Sequence, residues 1–484
     1  MADEHTRLTE PVYRSLSIDR RDNLKNGNSQ EKRSRWFLYM SAIVVNLLSF
    51  TVASGFSWTS SALQKISSDD MSINPLGKPA TPTQESWVAS LYPLGAAVGP
   101  LIAGKLCDTL GRKKTMLAIA VPKLICLVAV CFANDVRIYY AARFIMGMVL
   151  GTSFAILPLY LAEISEIHNR GTISSIFSVA LNCGILYCLL IGPLCSIKLL
   201  TLLCTVPLIM FIFIFGLFIP ESPVFLVAVG KHKEALKVLQ RLRNTDDVKE
   251  ELQEITKSLE LHAAEKKGVL DLFRDKHLRK ALIIVVGLVN ALQVAGINPI
   301  VAFLEAIVRA TGSNMSVYLT TNVTGLLQVI GTVITVFIAE KFGRKTLLIF
   351  SSVGILMSHI TLTIYFFLNE SHYNVENISW LPVASLFFYM LMFNLGISAM
   401  PFAVMGEMFI HSVKASGASI ATFTSFVTSF VLTLAFRLVF SQYGLSYCFS
   451  GLTVFIILVL LFVYFVVPET KGKSEAEIQQ LLRK

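Results

Sequence analysis

Long, uninterrupted apolar runs decide what this chain can fold into. Twelve of them recur through its 484 residues, six inside 36–222 and six inside 281–467. A helix of about 20 apolar residues crosses the hydrocarbon core of a bilayer. In lipid, only helices and closed barrels satisfy their own backbone. The runs do not alternate polar with apolar, so they predict helices rather than barrel strands. With 54% of residues hydrophobic and 15% charged, a soluble globular chain is excluded and an all-α membrane protein is expected.

The formal net charge of +10 has a telling distribution. Lys32, Arg33 and Arg35 precede the first run, Arg112, Lys113 and Lys114 follow the second, and Lys341, Arg344 and Lys345 follow the eighth. If the spans alternate, all lie on one side, and the positive-inside rule puts that side and both termini in the cytosol. A nucleic-acid surface would instead gather basic residues on one folded face with stacking aromatics between them. Residues 1–35 are polar, carry both charge signs and lack the apolar core of a cleaved signal, so they read as a cytosolic tail. Residues 223–280 form a charged cytosolic linker. There Val248, Leu252, Ile255 and Leu259 share one helical face, and Ala235, Leu236, Leu239 and Leu242 mark an earlier helix. Surface helices packed under the bundle are expected, with a protein-interaction module as the alternative. Residues 468–484 are a second cytosolic tail. The eight cysteines fall mostly inside spans without metal-ligand spacing, so packing is their expected role.

Charged punctuation repeats between the halves. Asp108, Gly111, Arg112 and Lys113 return as Glu340, Gly343, Arg344 and Lys345. In each copy the glycine is expected to supply the positive φ of a tight reversal. The acid sits at a helix carboxyl end, where the macrodipole disfavours it, so the nearby arginine is its expected partner. Pro158, Glu163 and Arg170 at the end of span four are echoed by Pro401, Glu407 and Lys414 at span ten. Pro220-Glu221-Ser222-Pro223 is echoed by Pro468-Glu469-Thr470-Lys471-Gly472. Three features recurring in the same order indicate two six-helix repeats in parallel. Asp108, Arg112, Glu163, Arg170, Glu340, Arg344, Glu407 and Lys414 are read as latches that join the two halves on the cytosolic side while a central cavity faces out. Ion pairs near water are individually weak, which suits contacts that must break. The plainer alternative is that these charges only set topology.

On these residues the chain resembles the sugar-porter family of the major facilitator superfamily over about 36–480. Further matching motifs are Arg143-Phe144 with Gly147, and Gln293-Val-Ala-Gly296-Ile297-Asn298. Trp58 to Leu63 and Glu85-Ser86-Trp87 are similar in particular to the insect facilitated trehalose and hexose carriers. The resemblance implies the major facilitator fold, twelve transmembrane helices in two six-helix bundles, with a cavity for a small neutral sugar. It also implies sugar contacts at Gln293 and Asn298 on helix seven, Gln328 on helix eight, Phe402 on helix ten and Phe426 on helix eleven. Amides both donate and accept, as sugar hydroxyls require. For Gln328 and Asn298 a helix–helix hydrogen bond is the alternative, and for the two phenylalanines it is plain packing. The chain departs from the family pattern at Leu292 and Ser178, where glutamines are usual, at Val224 and Lys414, where arginines are, and in the proline-poor stretch Gly396–Pro401.

The expected activity is facilitated sugar transport by alternating access, without cofactor, metal or nucleic acid, by a unit expected to be monomeric, in the cell membrane. Uniport is favoured because no Asp or Glu lies between 36 and 66, and a coupled carrier usually needs a titratable group in its path. Glu305 is the exception, and an ion pair with Arg309 four residues on is expected. Proton symport and a non-transporting sugar sensor are the alternatives; the short tail over 468–484 speaks against the sensor. No nucleophile–base pair suggests an enzyme, and His359 stands alone within its span. Lys123, near the middle of span three, is expected to snorkel toward an interface. Asn314, Asn369 and Asn377 head glycosylation sequons in expected outside loops, whereas the sequon at Asn322 falls within a span.

Overall fold

A computed structural model describes residues 35–166, 168–264, 271–339, 341–409, 411–473 and 475–483. Among these residues there is no strand, and twelve spans are long and apolar enough to cross a membrane. The first half holds α1 (Trp36–Ile66), α2 (Pro82–Leu110), α3 (Arg112–Cys131), α4 (Val136–Ile164), α5 (Arg170–Ile191) and α6 (Ile197–Phe218). Four short helices follow: α7 (Pro223–Ala228), α8 (His232–Arg243), α9 (Lys249–Ala264) and α10 (Asp271–Arg274).

The second half contains two broken spans. Span seven is divided into α11 (Lys276–Val294), α12 (Ile297–Ala302) and α13 (Leu304–Ala310). Span ten is divided into α16 (Leu381–Leu395) and α17 (Met400–Met408), on either side of α14 (Val317–Ile338) and α15 (Arg344–Glu370) before it and α18 (His411–Tyr443) and α19 (Leu445–Phe465) after it. A last helix, α20, covers Glu475–Arg483. The fold is therefore all-α, as expected. Leu217, Phe337 and Phe465 are among the most exposed side chains, at 70–74%, and such a rim is stable only against lipid.

Small residues set the closest packing. Gly95 and Gly99 on α2 face Gly147 and Gly151 on α4, and a Cβ on any of the four would run into backbone of the facing helix. Membrane helices lack a hydrophobic drive toward one another, so this approach is what gains van der Waals contact. Arg143 fastens the same corner. It is 1% exposed, donates to Val88 O at 3.1 Å, Gly55 O at 2.7 Å and Thr59 Oγ1 at 2.7 Å, and lies 4.1 Å from the Tyr92 ring centre.

The break in span seven follows from Gly296, whose φ of +87° suits glycine. The carbonyl of Ala295 is left free, since the residue four on is Pro299, which has no N–H to donate. His359 Nε2 lies 3.1 Å from that oxygen, and Tyr389 donates its hydroxyl to it at 2.9 Å. The histidine that looked solitary in sequence thus meets a helix break, consistent with the rule that irregular backbone at membrane depth must be satisfied by protein. Span ten breaks over Gly396–Ala399, where Gly396 leaves the helical conformation (φ −144°, ψ −68°) and seats against the backbone of Leu347 with no room for a Cβ.

We call the face carrying Arg112 and Arg344 the basic face and the other the opposite face. α7 to α10 lie on the basic face. Arg243 at the end of α8 ties them to α4, donating to Ile164 O at 2.7 Å and pairing with Glu251 at 2.6 Å.

Candidate functional site

Two homologous charge clusters sit on the basic face. Arg112 grips Glu163 through Nε, 3.1 and 3.0 Å from its two oxygens, and through Nη2 at 2.7 Å. Behind it, Glu221 accepts from the backbone N–H groups of Arg112 and Lys113, both at 3.0 Å. The second copy repeats the plan. Arg344 reaches Glu407 Oε1 from Nη2 at 3.1 Å and from Nε at 3.3 Å, and Glu469 accepts from Arg344 N at 2.9 Å and Lys345 N at 3.1 Å. Helices α3 and α15 have no side-chain cap of their own, so a distant carboxylate caps each N-terminus, where the helix dipole favours an anion.

Several sequence expectations change here. Asp108 is exposed and forms no ion pair among the described residues; the partner of Arg112 is Glu163, from a different helix. Gly111 has the expected positive φ of +86°, but Gly343 has φ −67°. Its lack of a side chain serves space instead, because a Cβ there would strike Glu469. Arg170 is exposed and forms no ion pair among the described residues, and Lys414 donates to Gly406 O at 2.7 Å. Glu340 lies outside the described residues. In this arrangement Arg112–Glu163 closes within the first half and Arg344–Glu407 within the second. The capping roles of Glu221 and Glu469 went unread in sequence, although their place in a repeated Pro-Glu pair marked them.

The amide residues of span seven do meet. Gln293 donates to Ser425 Oγ at 2.9 Å, and Asn298 donates to Gln293 Oε1 at 2.6 Å and to Ser429 Oγ. Asn290, unremarked in sequence, extends the ladder: it donates to Thr424 Oγ1 at 3.2 Å and accepts from Thr428 at 2.6 Å. Gln328 lies apart from this ladder, 2% exposed, with Nε2 unpartnered. Phe426 meets Phe154 of the first half edge to face, with ring centres 5.8 Å apart. Phe402 is half-buried against the core.

Toward the opposite face the halves are bound to each other. Glu85 on α2 pairs with Arg437 on α18 at 2.5 Å and accepts from Ser67 at 2.5 Å. Ser86 donates to Leu434 O at 2.7 Å. Ser61 donates to Glu305, whose own N–H donates to Ser60 Oγ at 3.1 Å. Glu305 is thus held across the interface by serines and forms no ion pair with Arg309, contrary to expectation, because its break-shortened helix α13 turns it toward α1. Nearer the middle, Asn182 on α5 donates to Thr332 on α14 at 2.9 Å.

The family model described as "Sugar (and other) transporter" matches residues 34–482. The chain belongs to this sugar transporter family. It is 32% identical over 445 residues to the facilitated trehalose transporter Tret1 of Polypedilum vanderplanki, covering 91% of this chain and 87% of that protein. Against Tret1 of Aedes aegypti it is 32% identical over 486 residues, covering 99% of this chain and 59% of the other. Among solved structures, the inward-open xylose transporter XylE of E. coli superposes with a TM-score of 0.76 at 19% identity, over 92% of this chain and 99% of that one. The likeness establishes the major facilitator fold expected from sequence.

One feature of this sugar transporter runs against expectation. Lys123 does not snorkel: it is 2% exposed, its Nζ has no hydrogen-bond partner, and it faces the interior of the first half beside Thr51, Ser54 and Cys204. The proline at 122 and the packing of α3 against α6 turn it inward, away from lipid. Of the sequons, Asn314 and Asn377 are exposed toward the opposite face, whereas Asn369 stands half-buried in the last turn of α15 and not in a loop.

Proposed function

We propose that this chain is a facilitative carrier of a small neutral sugar, a hexose or trehalose, working by alternating access as a uniporter. The observation that carries the reading is the asymmetry between the faces. Hydrogen bonds and an ion pair join the halves toward the opposite face, while the charge clusters of the basic face close within each half. A sugar released from the centre in this state leaves past the basic face. The names of the Tret1 relatives support trehalose as cargo.

In this reading the basic face is cytosolic, as are both termini, and the membrane is the cell membrane. The functional units are 36–222 and 281–467 joined by the linker 223–280, and one chain is the transport unit. Gln293, Asn298 and Gln328 offer donors and acceptors to the sugar, and Phe402 and Phe426 cover its C–H faces. In the outward-facing state Arg112, Glu163, Arg344 and Glu407 exchange partners with Asp108, Arg170, Glu340 and Lys414 across the halves. Glycan is expected at Asn314 and Asn377 before Asn369.

Proton symport is the second reading, because Glu305 is a buried acid lying on the interface that must open. Uptake of labelled glucose and trehalose into proteoliposomes separates the two. Saturable downhill uptake, indifferent to an imposed pH gradient, is expected. Uphill uptake driven by that gradient would establish symport, and movement of no saccharide under any gradient would end the sugar reading.

A further inference from the structure

Asn182 lies about 18 Å along α5 from its basic-face end, at about 1.5 Å per residue, and it is 9% exposed. Its side-chain amide donates to Ser178 O at 3.1 Å, one turn back, and to Thr332 Oγ1 of the other half at 2.9 Å. Thr332 has a single hydroxyl proton but two acceptors within reach, Gln328 O at 2.9 Å and Asn394 Oδ1 at 3.1 Å. Only one can be served at a time, and the Thr332 hydroxyl is the side-chain donor that reaches Asn394 Oδ1. One turn along the same face of α14, Gln328 Nε2 is buried with no acceptor.

An unserved donor in a buried interface carries a cost that persists until a group able to accept arrives. A sugar hydroxyl is such a group. An ammonium, which only donates, could not serve it, whereas a hydroxyl can also donate to Asn394 Oδ1. Aromatic surface lies close by: Phe177 on α5 packs edge to face on Phe154, which in turn packs on Phe426 across the halves.

We propose that Asn182 is a specificity-determining sugar contact. With Gln328 and Asn394 it forms a hydroxyl subsite contributed by both halves, and the bound sugar displaces Thr332 as the acceptor of the Asn182 amide. This rests on the sugar-carrier reading and deepens it. Because the subsite is shared, an occupied site holds α5 and α14 together through the ligand, which links occupancy to the position of the halves.

The test uses the full chain in proteoliposomes, with uptake of glucose and trehalose measured for the unaltered protein, N182A, T332V and the double variant. N182A is expected to raise KM about ten-fold, the effect of one lost hydrogen bond, with the maximal rate changed less than about two-fold. T332V, which frees the Asn182 amide, is expected to leave KM unchanged or lower it, and the double variant to behave as N182A. Equal effects of N182A and T332V on the maximal rate, with KM unmoved, would make Asn182 a structural bridge and overturn the proposal. A separate readout is alkylation of Asn182→Cys by a small thiol reagent in detergent. Protection by glucose or trehalose supports the subsite even if the unaltered protein transports neither, in which case the carrier reading alone falls. Alkylation indifferent to both sugars overturns the subsite even if transport is normal.

Discussion

The two faces of this molecule use the same chemistry for opposite ends. On the basic face, Arg112–Glu163 and Arg344–Glu407 each stay inside one half, and the acids behind them cap the helices that the arginines begin. On the opposite face, Glu85–Arg437 spans the halves. An ion pair within one half, as in this state, places no hold on the other half. One between units must be remade in every cycle, so its strength bears directly on which state is populated. The lesson is that location relative to the dividing plane, more than residue type, decides whether a charge pair is a brace or a gate.

The braces themselves differ. The side chains of Arg112 and Glu163 are 13% and 8% exposed, those of Arg344 and Glu407 20% and 29%. Glu163 uses both oxygens on its arginine, whereas Glu407 Oε2 is buried without a partner. The second cluster is therefore looser and holds an acceptor in reserve, which suits an acid that changes partners.

The largest effect is expected at the gate. Replacing Arg437 by Ala leaves Glu85 buried and unpaired, and breaking a buried pair costs about 3–5 kcal/mol, enough to shift a two-state equilibrium by more than a hundred-fold. Thiol labelling of a cysteine at Thr433 from the opposite face should rise at least ten-fold in Arg437→Ala and return toward the starting rate in the charge-swapped pair Glu85→Arg with Arg437→Glu. Unchanged labelling would mean the pair is not a gate.

A smaller effect should separate the braces. Arg112→Ala is expected to destabilise the purified protein by about 2–3 kcal/mol, as for lost hydrogen bonds to a charged group, and Arg344→Ala by about half as much. Thermal unfolding midpoints in detergent check the order, and equal shifts would erase the distinction drawn above.

A third test concerns acid. Burial pushes the Glu469 carboxyl up, but the N–H groups of Lys471, Arg344, Lys345 and Thr470 together hold it below the usual range. A carboxylate whose folded pKa is depressed contributes stability above its unfolded value and loses it as pH falls through the folded one. Glu469→Gln should therefore flatten the acid limb of the stability curve below about pH 4.5, near the unfolded glutamate value. An unaltered limb would show that this cap contributes nothing. The smallest effects belong to Asp108→Ala and Arg170→Ala. Both residues are exposed and form no ion pair among the described residues, so stability should change by less than about 0.5 kcal/mol. A transport defect at undiminished stability would place them in pairs formed only in the other state.

Much was legible before any coordinates. The spans were, because bilayer thickness converts directly into run length. The duplication was, because its markers are charges and prolines at a fixed place in each half. Gln293 and Asn298, which the family resemblance put together on span seven, hydrogen-bond to each other. What was hidden shared one property: it depended on which helix faces which. Asp108 was the nearest acid to Arg112 along the chain, yet Glu163 holds it, because α4 passes closer than the turn before α3. Gly343 looked like a turn glycine and is a spacer for Glu469. Lys123 looked like a snorkelling cation and points into the bundle.

Membrane residence, helical class, twofold repetition and the sugar transporter family were thus determined by the amino-acid sequence alone, since each depends on local composition, run length or ordered motifs. Only the tertiary structure decided that Glu85 meets Arg437, that Ser61 meets Glu305 and that Asn182 reaches Thr332. Those contacts join residues more than a hundred positions apart, and no local pattern encodes how two halves are turned toward each other.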